Sequence, residues 1–420
     1  MISHIETMNY RCLRYINVDL EPFHILIGPN ASGKSTFLDV MAFLEDTVND
    51  GPEQAVLKRA QSLQELVWKR SEHDIQIIIE MSIPQTIQTR FNQNDKKYTY
   101  CRYEIKVGVD SIKGGIRLLA ENFFLKSDTG IQKRPKQTDL FPESHNPPDN
   151  IIIEKYKRTP SGWRKVISLT DEGRAYFHSE ITNWNFPLRP GSQKTALAVV
   201  PEEERFPVST WVKSVLSEGV HVLSLNSRSM REPCRPDAPL SFRIDGSNLP
   251  VVIRNLSKAD PRRFIQWLDH VKTVLPDIKD IGVSEREVDM FPYLTITYIN
   301  GITVPSWLLS DGTLRLLALT LLAYIPDKGN IYLIEEPENG IHPKALESIY
   351  QSLSSVYDSQ VLCATHSPLF LGLSEPSHLL CFALTENGET DIIKGSDHPA
   401  LKAWKNQVSL ETLYAAGVLG

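Results

Sequence analysis

Uninterrupted apolar runs that end in polar residues mark the predicted central strands of this chain. Phe23–Ile27, Ile331–Ile334 and Gln360–Ala364 have the length and hydrophobicity of strands that are covered on both faces. Patterns with helical spacing follow the first two runs, at Thr36–Met41 and from about Pro343 to Val356. Strands that alternate with helices in this way are typical of an α/β fold with a central mixed sheet.

Further strand patterns predict a second, antiparallel group of strands. Ile2–Asn9 and Tyr15–Leu20 are short strands separated by a bend. Three longer strands are expected to pair with one another at His73–Ile83, Tyr98–Val109 and Ile116–Leu125. The sequence therefore predicts an antiparallel β lobe beside the central sheet.

The composition changes after these strands. Lys126–Asn150 is rich in Lys, Gln, Asp, Asn and Pro, which is typical of a surface loop or a partly disordered segment. Trp184, Trp211 and the apolar run Ala196–Val200 indicate a helical segment of a second lobe. We therefore divide the chain into residues 1–125, a mostly helical or irregular insert at 126–219, and residues 220–420.

Composition and charge restrict the class of protein. The chain has 420 residues, 41% of them hydrophobic, and a formal net charge of −6, so bulk charge does not indicate nucleic-acid binding. The five cysteines form no C-x-x-C pair, as is usual for reduced thiols in the cytosol. The N-terminal pattern predicts no signal peptide, and the longest apolar stretch, Leu314–Ile325, is too short to span a bilayer. We expect a cytoplasmic protein without a membrane segment.

A full phosphate-loop motif lies between the first predicted central strand and its helix. The segment G-P-N-A-S-G-K-S matches G-x-x-x-x-G-K-[ST]. Its two glycines permit backbone angles that point N–H groups at a phosphate, and the helix N-terminus adds its positive end. Lys34 is expected to reach the β- and γ-phosphates, and the hydroxyl of Ser35 to ligate Mg²⁺. The predicted nucleotide contacts are Gly28, Pro29, Asn30, Ala31, Ser32, Gly33, Lys34, Ser35 and Thr36.

Two carboxylates follow another central strand at its carboxyl end. Glu335 and Glu336 come directly after Ile334, and Pro337 prevents the strand from continuing. Ligands of open α/β sheets sit at the carboxyl ends of the strands. Together with the phosphate loop, the two acids indicate a metal–nucleotide site.

Two further segments are candidates for the same site. Ser310, Asp311 and Gly312 begin a strongly apolar helix, in which the serine is a good N-cap and the glycine permits close approach of a ligand. The strand after the acidic one ends in Thr365-His366-Ser367. We expect His366 to reach the γ-phosphate.

One basic segment leaves two interpretations open. Lys155–Lys165, K-Y-K-R-T-P-S-G-W-R-K, contains five basic residues and two aromatic ones. Such a mixture is compatible with nucleic-acid binding through phosphate contacts and stacking. A solvated pair of strands is the simpler interpretation.

The order of these motifs resembles the ATP-binding-cassette ATPases. Within them it is most similar to the group that contains structural-maintenance-of-chromosomes (SMC) proteins, RecF and the overcoming-lysogenization-defect (OLD) ATPases. The strings I-E-E-P-E-N-G-I-H-P and C-A-T-H-S-P especially resemble the OLD-type bacterial ATPases. The resemblance implies an ABC-type P-loop ATPase head, with residues 1–125 and 220–420 as its two parts.

The resemblance also implies a role for each motif. The phosphate loop would be the Walker A motif, and Ser310–Thr313 the signature motif. Glu335 would take the metal-side Walker B place, Glu336 that of the catalytic base, and Pro337–Gly340 the D-loop. His366 would be the switch histidine, and Gln64 is the candidate for the glutamine that contacts the metal.

The sequence departs from the family pattern at three points. The usual Walker B aspartate is replaced by Glu335, and the signature reads S-D-G-T rather than S-G-G-Q. The 126–219 insert is too short and too rich in proline for a long coiled coil. Only about fifty residues follow His366, so we expect no nuclease domain in this chain.

The expected activity is therefore hydrolysis of ATP to ADP and phosphate with ATP and Mg²⁺ as cofactors. A head-to-tail homodimer, or a higher oligomer, would hold each ATP between the Walker A loop of one copy and the signature of the other. The resemblance favours bacterial anti-phage defence with a separately encoded effector such as a nuclease. The alternative is a RecF-like ATPase that binds DNA in repair or recombination, and a scaffold that binds ATP without turnover is a third class.

Overall fold

The structure is a computed structural model. It describes residues 1–71, 73–91, 98–110, 114–127, 141–144, 146–153, 158–169, 173–182, 184–191, 194–201, 204–326, 329–402, 409–417 and 419. Much of the predicted surface segment Lys126–Asn150, at residues 128–140, lies outside this part of the chain, as do residues 155–157 of the basic segment.

The described residues form seventeen strands in chain order. They are β1 (Ile2–Tyr10), β2 (Leu13–Asp19), β3 (Phe23–Ile27), β4 (Ile75–Ser82), β5 (Tyr100–Val109), β6 (Ile116–Lys126), β7 (Trp163–Leu169), β8 (Ala175–His178), β9 (Asn185–Leu188), β10 (Val220–Leu223), β11 (Ile278–Glu285), β12 (Pro292–Tyr298), β13 (Thr303–Pro305), β14 (Ile331–Glu335), β15 (Gln360–Ala364), β16 (Leu379–Leu384) and β17 (Thr390–Lys394).

Twelve α-helices lie between and after these strands within the described residues. They are α1 (Lys34–Asn49), α2 (Pro52–Leu57), α3 (Gln85–Phe91), α4 (Pro207–Glu218), α5 (Ser227–Arg231), α6 (Leu249–Ala259), α7 (Pro261–Val274), α8 (Asp311–Leu321), α9 (Leu346–Ser354), α10 (Pro368–Gly372), α11 (Pro399–Lys402) and α12 (Leu410–Ala415).

The predicted central strands form one six-stranded sheet in the order β10-β14-β15-β3-β16-β17. All neighbouring pairs are parallel except β16 with β17. The phosphate-loop strand β3 therefore lies between β15 and β16, one strand away from β14. Because parallel strands end at the same edge, the segments that follow β3, β14 and β15 share one side of the molecule.

The central sheet is covered on both faces, as its uninterrupted apolar runs predict. Along β3, Leu26 belongs to the core shared with α1, α4 and the antiparallel sheet. Ile25 and Ile27 belong to a second core that includes residues of α6, α7, α8 and α9. Burial on both faces fixes the strand in place and so fixes where the loop after Ile27 begins.

The second sheet is antiparallel, with eight strands in the order β2-β1-β4-β5-β6-β7-β8-β9. Its first five strands are those that the sequence predicts. A third sheet, β11-β12-β13, is also antiparallel. The α/β architecture with a central mixed sheet and an antiparallel β lobe is confirmed.

The residues of the insert differ in part from the expectation. Strands β7, β8 and β9 extend the antiparallel sheet. Of these, the sequence indicated only the start of β7, in the interpretation of Lys155–Lys165 as a solvated pair of strands. The run Ala196–Val200 forms turns rather than a helix. The buried carboxylate of Glu121 accepts hydrogen bonds from the N–H groups of Ala196 and Leu197 at 2.6 and 2.8 Å, and Pro201 follows the run. The helix of this region is α4, which carries Trp211.

Candidate functional site

The loop between β3 and α1 has the backbone that its glycines require. Gly28 and Gly33 have φ angles of 146° and 103°, and Ala31 has a φ of 63°. A Cβ at Gly28 would lie 2.2 Å from the carbonyl oxygen of Phe382, and one at Gly33 2.4 Å from Oγ1 of Thr390. Both glycines are needed for conformation and for space, because β16 and β17 press against the loop.

Lys34 lies along this loop and faces the two carboxylates. Its Nζ donates hydrogen bonds to the carbonyl oxygens of Gly28 and Pro29 at 2.9 and 2.8 Å. Burial lowers the pKa of Lys34 to about 8, while the charges of Glu335 and Glu336 act to raise it. The phosphate loop and the acidic end of β14 are therefore close enough to interact electrostatically.

The polar groups of the loop leave room for an anion. The Oγ of Ser32 is buried and has no hydrogen-bond partner in the described part of the chain. The first turn of α1 contains no acidic residue and its N-cap, Gly33, offers no side-chain cap, so its N–H groups are open to a ligand. Ser35 is exposed beside them. The loop thus has the free donors that bind phosphate.

The two predicted acids follow one another at the end of β14 and have different backbone conformations. Glu335 is the last residue of the strand and is exposed. Glu336 has a φ of 48°, a sparsely populated conformation for a non-glycine residue, and its N–H donates to the carbonyl of Ala364 at 2.8 Å. The side-chain amide of Asn339 donates to Glu336 Oε2. The turn after the strand therefore holds the Glu336 carboxylate in place.

Glu338 is a third acid, which the sequence analysis included only as part of the D-loop segment and gave no role of its own. Its Oε1 accepts hydrogen bonds from Oγ1 of Thr365 at 2.7 Å and from the N–H of His366 at 3.2 Å. Its Oε2 is buried without a partner among the described residues. Glu338 thus joins the turn after β14 to the end of β15, where His366 lies. The only sequence signal was its place in the acidic string.

His366 is linked to the phosphate loop through the C-terminal helix. Its Nδ1 lies 3.3 Å from the hydroxyl of Tyr414, which donates to the carbonyl oxygen of Gly28 at 3.4 Å. With the hydroxyl used in this way, Nδ1 is the donor to Tyr414. Burial and the charge of Lys34 lower the pKa of His366. No sequence pattern pointed to Tyr414, because α12 reaches the site only through the fold.

The predicted signature residues form the N-terminus of α8. Oγ of Ser310 accepts a hydrogen bond from the N–H of Thr313 at 3.1 Å, as the expected N-cap. Asp311 pairs with Arg231 at 2.5 Å. A Cβ on Gly312 would lie 2.6 Å from the carbonyl oxygen of Gly340. This helix start therefore contacts the turn after Glu336.

Two predicted site segments are not joined to the phosphate loop. Among the hydrogen bonds and ion pairs of the described residues, none links Ser310, Asp311 or Gly312 to Gly28–Ser35. Gln64 is exposed on a short 3-10 turn, Leu63–Glu65, and none of these contacts links it to the loop either. Within one copy, the assembled site consists of the loop, the two acids and His366.

The residues of the site suit a magnesium–nucleotide complex. Mg²⁺ prefers oxygen ligands and is usually held by one or two protein groups together with phosphate oxygens. The exposed Ser35 hydroxyl and Glu335 carboxylate are ligands of that type. No cluster of three or more His, Cys, Asp or Glu side chains in the described ranges forms a metal site without a nucleotide.

A family model matches most of this chain. Residues 23–372 match the model described as "AAA domain, putative AbiEii toxin, Type IV TA system". The comparison with curated proteins gave no match. None of the helices that the structure describes has the length and hydrophobicity that a membrane-spanning helix needs.

Solved structures of SMC heads are similar to this chain at low identity. An SMC head bound to the C-winged helix domain of ScpA is 12% identical, with a TM-score of 0.49 over 99% of both chains. The SMC head domain from Thermotoga maritima is 10% identical, with a TM-score of 0.42 over 94% of this chain and 98% of the other. An SMC head with an extended coiled coil, bound to the C-terminal domain of ScpA derived from Pyrococcus furiosus, is 10% identical, with a TM-score of 0.47 over 99% and 98%. Because these TM-scores are low, the fold is assigned from the strand order.

Proposed function

Since the chain belongs to the family of AAA domains described as "putative AbiEii toxin, Type IV TA system", we propose that it binds ATP with Mg²⁺ and hydrolyses it as a dimeric switch. The observation that carries this proposal is the position of Lys34. Its amine lies on the phosphate loop, 2.9 Å from the Gly28 carbonyl oxygen. The negative charges of Glu335 and Glu336 act to raise its pKa. One site thus combines a phosphate cradle with the carboxylates that metal binding and water activation need.

In the proposed site, each group has a separate task. The loop N–H groups and Lys34 bind the phosphates, and Ser35 and Glu335 would hold Mg²⁺, which would supply positive charge to neutralise the phosphates. Glu336 orients the attacking water, and Asn339 keeps its carboxylate in position. His366 contacts the γ-phosphate.

A second copy would complete the site. Ser310 and Gly312 are not joined to the phosphate loop of their own chain, and they lie at an exposed helix N-terminus. Such an N-terminus can bind an anion, and the carboxylate of Asp311 in its first turn is paired with Arg231. We assign them to the γ-phosphate of ATP bound by another copy. ATP then holds the two copies together, and hydrolysis removes the contact.

We place this switch in bacterial anti-phage defence, with a separately encoded effector such as a nuclease. The family description, with its reference to a toxin–antitoxin system, supports this role. A RecF-like ATPase that binds DNA in repair is the second candidate. The described part of the basic segment favours it, because Trp163, Arg164 and Lys165 lie together at the start of β7.

The first test is the change Lys34→Ala. Loss of the only loop amine should weaken ATP binding at least about thirtyfold, because the bound phosphates would lose a charged partner in a partly buried site. Isothermal titration calorimetry measures this directly. Lys258→Ala, which removes an exposed lysine of α6, should leave the affinity unchanged. Equal ATP affinity of Lys34→Ala and the unaltered protein would contradict the proposed site.

A further inference from the structure

A second cavity lies on the antiparallel sheet, apart from the phosphate loop. It has a volume of about 380 Å³. Its described lining combines three aromatic and three basic residues with one threonine, and no carboxylate: Tyr98, Trp163, Arg164, Lys165, His178, Thr182 and Trp184. Aromatic surface together with positive charge is the chemistry that binds a base and its phosphate.

The aromatic wall of the cavity is held in a fixed orientation. Trp184 is 43% exposed. The centre of its ring lies 4.7 Å from the centre of the Phe186 ring and 4.5 Å from the guanidinium carbon of Arg205. The backbone N–H of Trp184 donates to Oγ1 of Thr182 at 3.3 Å, which holds the turn that carries the ring. The indole therefore presents open aromatic surface without the entropy loss that a free side chain would suffer on stacking.

The basic residues divide into one that builds the wall and two that are available to a ligand. Arg164 donates hydrogen bonds to the carbonyl oxygens of Ser179 and Thr182, and so fixes the turn before Trp184. Lys165 and His178 form no salt bridge in the described part of the chain; the Lys165 amine lies 5.4 Å from the centre of the Phe124 ring. Burial lowers the pKa of Lys165, although the charge of Glu104 acts to raise it. Burial and the charges of Arg164 and Lys165 lower the pKa of His178.

We propose that this cavity binds one nucleotide unit of a single-stranded nucleic acid, with the base against Trp184 and the phosphate at Lys165 and His178. A duplex keeps its bases stacked inside, so the exposed indole is of use only to a single strand or a strand end. A free mononucleotide carries the same two groups and would share the cavity. The proposal deepens the second candidate function and rests on it, but it is independent of ATP hydrolysis.

The test measures binding of a fluorescent thymidylate oligomer of about fifteen nucleotides by polarisation at low salt, with ATP turnover measured on the same samples. Lys165→Gln and Trp184→Leu should each weaken binding at least about fivefold. Lys165→Gln should also reduce the slope of log affinity against log salt concentration by about one. Lys165→Arg should retain binding. Arg235→Gln removes an equal charge from an exposed Arg235–Asp237 pair and should have no effect.

The other arms of the experiment separate the possible sources of the nucleotide. Thymidine 5′-monophosphate should compete with the oligomer, and repetition in Lys34→Ala excludes binding at the phosphate loop. Binding of the mononucleotide without the oligomer would assign the cavity to a free nucleotide. If neither ligand binds, or if both cavity variants bind as the unaltered protein does, the proposal is wrong. ATP turnover that persists in the cavity variants would show that such a failure leaves the ATPase proposal intact.

Discussion

Lys34 carries a charge that depends on pH within an accessible range. Burial lowers its pKa to about 8, and bound phosphates would stabilise the charged form and raise that pKa again. The complex must then take up a proton that the free protein has lost at higher pH. ATP affinity should therefore stay constant between about pH 7 and 8 and fall as the pH rises further.

Calorimetric titrations at several pH values test this expectation. The matched control is Lys34→Arg, whose guanidinium remains charged throughout the range, so that its affinity, even if weaker, should not decline with pH. A constant or rising ATP affinity of the unaltered protein up to about pH 9.5 would mean that Lys34 does not lose a proton there.

Tyr414 is expected to act on turnover more than on binding. Its hydroxyl lies between Nδ1 of His366 and the Gly28 carbonyl oxygen, at 3.3 and 3.4 Å. Tyr414→Phe removes this link while the ring remains, so His366 loses its fixed orientation. We expect kcat to fall about three- to tenfold with a nearly unchanged KM, since one neutral hydrogen bond is worth about 1 kcal/mol.

Steady-state ATPase kinetics distinguish this positioning role from loss of structure. Tyr357→Phe is the matched control, because Tyr357 is 81% exposed and precedes the amino end of β15, whereas the site lies at the carboxyl ends of the strands. If Tyr414→Phe raises KM and leaves kcat unchanged, then Tyr414 contributes to nucleotide binding and not to the orientation of His366.

For individual residues, the sequence predicts those that belong to a local motif and misses those that come close to the site only through the fold. The phosphate loop is contiguous, so its spacing alone indicates its chemistry. Glu338 joins two strand ends through Thr365, and Tyr414 lies at the end of the chain. Their contacts depend on the positions of β3, β14 and β15 in the sheet, which no local pattern contains.

Among the elements, the contact between helix α8 and the turn after β14 is the one that we expect to affect ATP turnover most. A Cβ at Gly312 would meet the Gly340 carbonyl oxygen at 2.6 Å, and the same turn carries Asn339, which holds Glu336. Gly312→Ala would favour the helix by about 1 kcal/mol but push the turn away. We expect at least a fivefold fall in ATP turnover from this displacement, because a misplacement of about 1 Å is costly at a reacting centre.

Turnover and thermal unfolding of Gly312→Ala should be measured together. Gly372→Ala is the matched control, since its Cβ would meet its nearest neighbour, Glu411, at an ordinary 3.5 Å. Turnover equal to that of the unaltered protein would show that the turn adapts without effect on Glu336.

The elements themselves were predictable where their patterns are strong. Strand β3 is uniformly buried, and its predicted bounds, Phe23–Ile27, are those observed. Strands β8 and β9 have four residues each and leave Tyr176 and Leu188 more than a third exposed. Such short strands at a sheet edge bury too little apolar surface to produce a clear alternation, and β9 even contains Pro187, which edge strands tolerate.

For the whole molecule, the central prediction is that ATP joins two copies. The phosphate loop, acids and His366 lie at one edge of the six-stranded sheet, whereas Ser310–Gly312 begin a helix that is not joined to the loop. Sequence alone gave this arrangement only through resemblance to a family, because the order β10-β14-β15-β3-β16-β17 brings together segments from opposite ends of the chain. A composite site is the arrangement in which all of these motifs meet one nucleotide.

The most direct test is the mass of Glu336→Gln in solution with and without Mg²⁺ and ATP, measured by light scattering after size exclusion. The change keeps the shape of the side chain but removes the proposed base, so ATP should remain bound and hold the dimer. We predict a mass of 47.6 kDa without ATP and at least twice that value with ATP, while Lys34→Ala remains a monomer in both. A mass that is the same with and without ATP, together with ATP hydrolysis by Glu336→Gln at the unaltered rate, would contradict the ATP-gated switch.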